Sequence, residues 1–267
     1  MRLHFQKIRG WVTPTDAFIA LYAENENAFW LDGEAATEDR FSIIGSGVPF
    51  KPSGFDELVD FEQKYESLDL PFDFRPGLVG WFDFELNEPA LLKVGSALVF
   101  DHEERQLYFI AKTDSDAKFR HWLDAALLRI GLIGGEQLKY LASKSAPEIT
   151  SVSFRHSDAE YLELIETVKQ HIAIGDVYQL CLTNEITLEG TADPLTTFIR
   201  LRTDNPAPYS GYLRIGNRIL VSSSPEQFLK VTSDGRVSTK PIKGTRRRDE
   251  SEAIDKAIAD ELANNLK

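Results

Sequence analysis

The chain has 267 residues, a formal net charge of −12, 42% hydrophobic and 27% charged residues, and a single cysteine. At ~100–200 residues per domain this is one large domain or two small ones, and the hydrophobic content excludes wholesale disorder. The acidic balance argues against a nucleic-acid face, and the lone Cys181 excludes a disulfide framework or cysteine zinc site and fits a reducing cytoplasm.

The opening MRLHFQKIRGWVT carries no apolar segment or small-residue cleavage site, and no stretch approaches the ~20 residues of a membrane helix. Thr13 as N-cap with Pro14 at the first helical position predicts a helix running through residues 17–23. Residues 28–32 and 41–44 are of strand length. Phe55, Leu58, Val59, Phe61 and Tyr65 have mostly helical spacing. A strand over 78–82 contains Gly80, which suggests a bend or a close backbone approach. Residues 97–100 and 107–111 read as a hairpin, followed by a helix over 117–130. Residues 131–150, with Gly131, Gly134, Gly135 and Pro147, give the one plausible internal boundary, separating 1–145 from 146–267.

Ser157 and Glu160 form a capping box, after which Tyr161, Ile165, Val168 and Ile172 line one face of a helix ending near Gly175. Residues 177–186 alternate well enough for a buried strand, which makes Cys181 a small core residue. Asp193-Pro194 starts a helix closed by Asn205-Pro206. Strands follow over 218–223, 227–231 and 236–242, and a helix over 249–267 carries Ile254, Ile258 and Leu262 on one face. The interleaving of helix and strand is irregular, unlike the alternation of a parallel sheet, and there is no internal repeat.

Common catalytic motifs are absent: no P-loop, GxGxxG, HExxH, GxSxG or CxxC. The histidines, His4, His102, His121, His156 and His171, lack metal-ligand spacing and read as surface or helix-flank residues. One constellation stands apart. If Asp234-Gly235 is a two-residue hairpin turn, Ser233 faces Arg236 and Glu226 faces Lys243, bringing a carboxylate and an amine to ~4.5–5.5 Å between Cβ atoms. From spacing alone an ordinary cross-strand salt bridge is the favoured reading.

Gly175-Asp176-Val177-Tyr178-Gln179-Leu180-Cys181-Leu182-Thr183, Ser224-Pro225-Glu226 and Pro241-Ile242-Lys243-Gly244-Thr245-Arg246 resemble, in order, motifs of the chorismate-utilising enzymes. Weaker matches at Phe29-Trp30-Leu31-Asp32, Arg40-Phe41-Ser42, Gly80-Trp81-Phe82 and Asn205-Pro206-Ala207-Pro208-Tyr209 extend the resemblance over nearly the whole chain. It implies an α+β fold of packed antiparallel sheets with outer helices. Isochorismate and salicylate synthases place a water-activating lysine where Gln179 stands, and anthranilate synthases an alanine where Lys243 stands. Gln179 with Lys243 therefore resembles the aminodeoxychorismate synthase component I branch, which aminates chorismate on the way to 4-aminobenzoate and folate.

The resemblance implies Lys243 as nucleophile, Glu226 as general acid, and Gln179, Gly244 and Thr245 as substrate-binding residues. At ordinary pKa values, about one lysine in 2,500 is neutral and about one glutamate in 500 is protonated at pH 7, so both groups need shifted values. Arg246, Arg247 and Arg248 read equally as cations that depress the lysine or as a solvated basic turn. The resemblance further implies Mg²⁺, bound by glutamates beyond the Leu262-Ala263-Asn264 helix, so that the metal ligands are expected past Lys267 and none within this chain. The chain is thus expected to be the front part of a longer enzyme, incomplete at its C-terminus and with exposed apolar surface. Leu31, Asp32, Ser42, Pro208 and Tyr209 match a region where relatives bind an amino acid; core strand residues are an equal reading, since Gly33 replaces a usual serine. A glutamine amidotransferase subunit is the expected ammonia source, because no glutaminase-like cysteine motif is present. Anthranilate synthase component I, and a non-catalytic chain that binds only ligand or partner, are the alternatives.

Overall fold

The computed structural model describes residues 1–35, 40–59, 69–85, 88–232, 234–242 and 244–265. In chain order its elements are β1 (Arg2–Ile8), α1 (Pro14–Tyr22), β2 (Asn27–Asp32), β3 (Phe41–Phe50), α2 (Phe55–Val59), β4 (Leu78–Trp81), β5 (Ala90–Asp101), β6 (Gln106–Thr113), α3 (Asp116–Gly131) and α4 (Glu136–Ser143). There follow β7 (Glu148–Phe154), α5 (Asp158–Ile174), β8 (Ile186–Thr191), α6 (Pro194–Asp204), β9 (Tyr209–Ile215), β10 (Arg218–Ser224), β11 (Gln227–Val231), β12 (Val237–Lys240) and α7 (Glu252–Ala263). The fold is α+β, and every described strand pair is antiparallel.

The main sheet runs β1-β6-β5-β3-β2-β9-β10, with β4 added to β5. The long β5 carries β3 on one edge; β4 and β6 share the other, beside residues 90–93 and 96–101 respectively. Gly80 permits this: a Cβ there would overlap the Ala90 carbonyl, so β4 can approach β5 only without a side chain.

Both faces of the sheet are covered, which explains why β2, β5 and β6 read as nearly continuous apolar runs rather than as alternation. On one face Trp30 meets Phe18 of α1 at 5.5 Å and Phe198 of α6 at 5.1 Å, and Tyr212 closes the cluster. Phe109 packs on Trp122 of α3 on the same face. On the opposite face Phe29, Val99, Tyr108, Ile110 and Leu213 form a buried cluster with Phe72, joined by Leu31 and Ile43. A residue shift of one in β2 would exchange these two sets, so packing locks the register.

Local signals set the helix starts. Thr13 Oγ1 accepts the Asp16 N–H at 3.1 Å, with Pro14 inside the first turn. Ser157 and Glu160 form the reciprocal capping box, and Gly175 ends α5 at φ 87°. In the β5–β6 hairpin Asp101 Oδ1 accepts the Glu103 and Glu104 N–H groups, while Arg105 takes a left-handed φ of 47°.

The chain divides into two compact units, Met1–Gln137 with Phe198–Lys267, and Leu138–Thr197. Within the second, Phe154 faces Ile186 and Val152 faces Leu188 across β7–β8. All four side chains are more than half exposed. The opposite face is polar, where Ser151 Oγ donates to Glu189 at 2.9 Å.

Several expectations are corrected. Residues 131–150, read as a boundary, contain α4 and the start of β7. Residues 177–185 are not a strand; the strand begins at Ile186, and Cys181 is exposed. Apolar residues that alternate in a largely exposed loop mimic the period of two of a strand. His4 is buried on Phe119, with ring centroids 5.5 Å apart, and His102 is half-buried, so neither is a surface histidine. The helix predicted over 55–65 is described only as α2; the rest lies outside the described residues.

Candidate functional site

The segment from β10 to α7 carries the motif residues Glu226, Gly244 and Thr245. Glu226 lies, exposed, in the two-residue link between β10 and β11, where its carbonyl accepts the Ser224 hydroxyl at 3.4 Å. Lys243 lies outside the described residues. Gly244 follows at φ 68°, a left-handed turn, and the exposed Thr245 offers its carbonyl to Arg246 Nη1 at 3.0 Å. The expected strand register is corrected: Val231 faces Val237 and Lys230 faces Ser238, and a bulge then sets Gln227 opposite Lys240. Extended outward, that register sets position 226 across from 241 rather than 243. The turn causes one position of that shift and the bulge the other. Thr232 N–H donates to the Arg236 carbonyl and Gly235 N–H to the Thr232 carbonyl, each at 2.9 Å, so the loop is three residues long with Gly235 at φ 82°.

Two arginines of the basic run are tied to α7. Arg248 grips Asp255 with two bonds of 2.7 Å, and Arg246 Nη2 donates to Glu261 at 3.0 Å. The Arg248 bond, aided by the Asp249 N–H, holds the Asp255 carboxyl below its ordinary value, and Arg246 does the same for Glu261. The loop after Gly244 is thus strapped along the last helix, and α7 consumes two of the three positive charges.

Gln179 is exposed in the loop between α5 and β8 of the second unit. Tyr161 of α5 donates its hydroxyl to the Leu182 carbonyl at 3.0 Å and so fixes that loop.

The remaining site candidates fall on the two faces of the main sheet. Asp32 and Ser42 meet on the helix-covered face, where Ser42 Oγ donates to Asp32 Oδ1 at 2.8 Å. Leu31 belongs to the opposite cluster, as does the Tyr209 side by strand alternation from the Leu31–Gly211 and Asp32–Ser210 pairs. Tyr209 instead donates to Gln227 Oε1 at 3.2 Å, and Pro208 is half-buried in the link before β9.

Around Asp32 the structure builds a network that sequence reading missed. Arg202 of α6 donates from Nε to Oδ2 at 3.0 Å and from Nη2 to Oδ1 at 3.1 Å. Trp30 Nε1 donates to Oδ1 at 3.2 Å, Arg202 lies 4.9 Å over the Trp30 ring, and Glu34 bonds Arg202 from the rim. Burial opposes the Arg202 charge, but the bonds to Asp32 and the nearby carboxylates outweigh it and raise its pKa. Ser42 Oγ also sits 2.7 Å from His102 Nε2 and accepts the Gly33 N–H at 3.2 Å. Since the single Ser42 proton goes to Asp32, His102 Nε2 must carry hydrogen and donate. Burial pulls the His102 pKa down; Glu34, Asp32 and Asp101 pull it up by less, and Arg202 adds to the lowering. Arg202 was detectable in sequence: Phe198, Ile199 and Arg202 share one helical stripe, and an arginine in an apolar stripe needs a buried anion.

Asp32, Glu34, Arg202, Pro206 and Ala207 edge a cavity of about 450 Å³. Asp32 already accepts four bonds from the protein, so its place in this cavity is mainly to hold Arg202. Among the described residues no cluster of three or more His, Cys, Asp or Glu side chains is placed to hold a metal ion. Nor is any described helix long and apolar enough to cross a membrane.

Residues 32–267 match the sequence profile of the chorismate binding enzymes. The chain is 35% identical to the aminodeoxychorismate synthase of Streptomyces griseus, over 92% of this chain and 40% of that protein. It is 31% identical to anthranilate synthase component 1 of Thermus thermophilus, over 96% of this chain and 62% of the relative. Its fold aligns with anthranilate synthase component I from Streptococcus pneumoniae at a TM-score of 0.68 and 19% identity, covering 86% of this chain and 58% of that one. The chain therefore spans less than two thirds of each of these proteins. By the match of 32–267 and these likenesses, the chain belongs to the chorismate binding enzyme family.

Proposed function

We propose that the protein takes part in the amination of chorismate at C4 to 4-amino-4-deoxychorismate, as the component that handles chorismate. The observation that carries this reading is Lys243 within Pro241-Ile242-Lys243-Gly244-Thr245, together with Gln179. The likeness to the Streptomyces griseus aminodeoxychorismate synthase supports it. In this reading neutral Lys243 attacks C2 as the C4 hydroxyl leaves with the proton of Glu226. Ammonia then adds at C4 and the C2–lysine bond breaks, returning the amine. Gln179, Gly244 and Thr245 contact the substrate. A glutamine amidotransferase subunit supplies the ammonia, and the setting is cytoplasmic. No step is assigned to magnesium, whose ligands would lie outside residues 1–267.

The exposed position of Glu226 supports the reading in one respect: its carboxyl group is open to a substrate. The second reading, amination at the anthranilate position, is favoured by the likeness to the Thermus thermophilus enzyme. Product analysis separates them. Chorismate, ammonia and Mg²⁺ are supplied to the protein; 4-amino-4-deoxychorismate is the expected product, and Lys243→Ala should abolish it. Formation of anthranilate, or undiminished turnover by that variant, overturns the proposal.

A further inference from the structure

The loop joining β1 to α1 and the last turn of α3 border an open cavity of about 500 Å³, remote in sequence from the motif residues. Its size falls within the ~300–1,000 Å³ of small-molecule sites. Trp11, Leu127, Ile130 and Ile133, all half-buried, supply apolar walls. The Trp11 ring is fixed: the Arg105 guanidinium lies 5.0 Å over it, and the rings of Phe100 and His102 meet it edge-on at 5.9 and 5.8 Å. Gly10, at φ 114°, turns the chain between Arg9 and Trp11.

Two ionised side chains also line the cavity, Arg9 and Asp16. Asp16 accepts the Thr13 hydroxyl and the Gln137 backbone N–H, each at 2.8 Å. Both donors are neutral, so neither bond is an ion pair. Among the described residues neither Asp16 nor Arg9 has an ion-pair partner, and they do not pair with each other. A cavity with apolar walls, a fixed aromatic ring, one unpaired anion and one unpaired cation is complementary to a molecule with the opposite charges on an apolar body.

We propose that this cavity binds a small amino carboxylate with an aromatic body, its ammonium on Asp16, its carboxylate on Arg9 and its ring against Trp11. The site is separate from the Asp32–Arg202 cavity and does not depend on the chorismate reading.

The test is calorimetric titration of the 267-residue protein with L-phenylalanine, whose charges are adjacent, and with 4-(aminomethyl)benzoate, whose charges are at opposite ends. Saturable binding of at least one is expected, weakened about tenfold or more by Asp16→Asn and by Arg9→Gln. Binding of 3-phenylpropionate, which lacks the amine, should fall with Arg9→Gln and be indifferent to Asp16→Asn. Arg9 is exposed, so its variant tests the site with the fold intact. Absence of saturable binding by either zwitterion at about 10 mM overturns the proposal. So does binding that both substitutions leave unchanged, including binding lost instead on changing Thr203 at the other cavity.

Discussion

Arg202 reaches from α6 to clasp Asp32 on β2 through two bonds of 3.0 and 3.1 Å, with side chains only 13% and 5% exposed. The pair joins the covering helix to the sheet at the point where Trp30 and Ser42 also bond the same carboxylate.

Removing one partner strands the other charge inside the protein. Arg202→Met should cost about 3–5 kcal/mol in denaturant unfolding. Arg202→Lys should recover little, because an ammonium cannot reproduce the two-point geometry. The double variant Asp32→Asn/Arg202→Met should be less destabilised than the sum of its parts; strict additivity would show that the two residues are not coupled.

His102 gives the network a pH dependence. Its folded pKa lies below the ordinary 6.5, chiefly through burial, so the unfolded chain binds the proton more readily. The stabilisation is therefore complete above about pH 6.5 and is lost as pH falls from there toward the lower folded value. Melting temperatures from pH 5 to 8 should rise through this window in the parent protein. His102→Gln, which keeps an amide donor for Ser42, should reduce that slope; an equal slope in both proteins would assign the dependence to other groups.

Gly80 is required by the approach of β4 to β5, since an added Cβ would overlap the Ala90 carbonyl. Gly80→Ala should destabilise by about 1–3 kcal/mol, or detach β4. Hydrogen exchange at residues 78–81 distinguishes these outcomes, and a neutral substitution would mean that the backbones can separate at no cost.

The β7–β8 hairpin presents Val152, Phe154, Ile186 and Leu188 as an exposed apolar face. Such a face is an aggregation hazard unless covered. Phe154→Ser with Leu188→Thr should raise the concentration at which the protein remains monodisperse in light scattering. Because both side chains are exposed, the melting temperature should move little. A large fall in melting temperature would show that the face is packed in solution.

Much of this protein was decided by its sequence alone. The helix starts at Thr13 and Ser157 and the stop at Gly175 depend on side chains within a few residues, so local hydrogen bonding settles them. The β5–β6 hairpin was legible for the same reason, and Gly80 marked a close backbone approach because only glycine lacks the Cβ that would prevent one. The ordered motifs around Gln179, Glu226 and Lys243 pointed to the family without any coordinates. Only tertiary structure decided the rest. Cys181 is exposed and His4 buried because burial depends on which distant element covers a segment. The shift at β11–β12 arose from one extra loop residue and one bulge, each of which moves the cross-strand partners beyond it by one position. Asp32, Ser42, His102 and Arg202 are spread over 170 positions between Asp32 and Arg202, and only the fold brings their charges to hydrogen-bonding distance. Bonds that close short loops can be read along the chain; ion pairs that close long ones are fixed by the packing of helix on sheet.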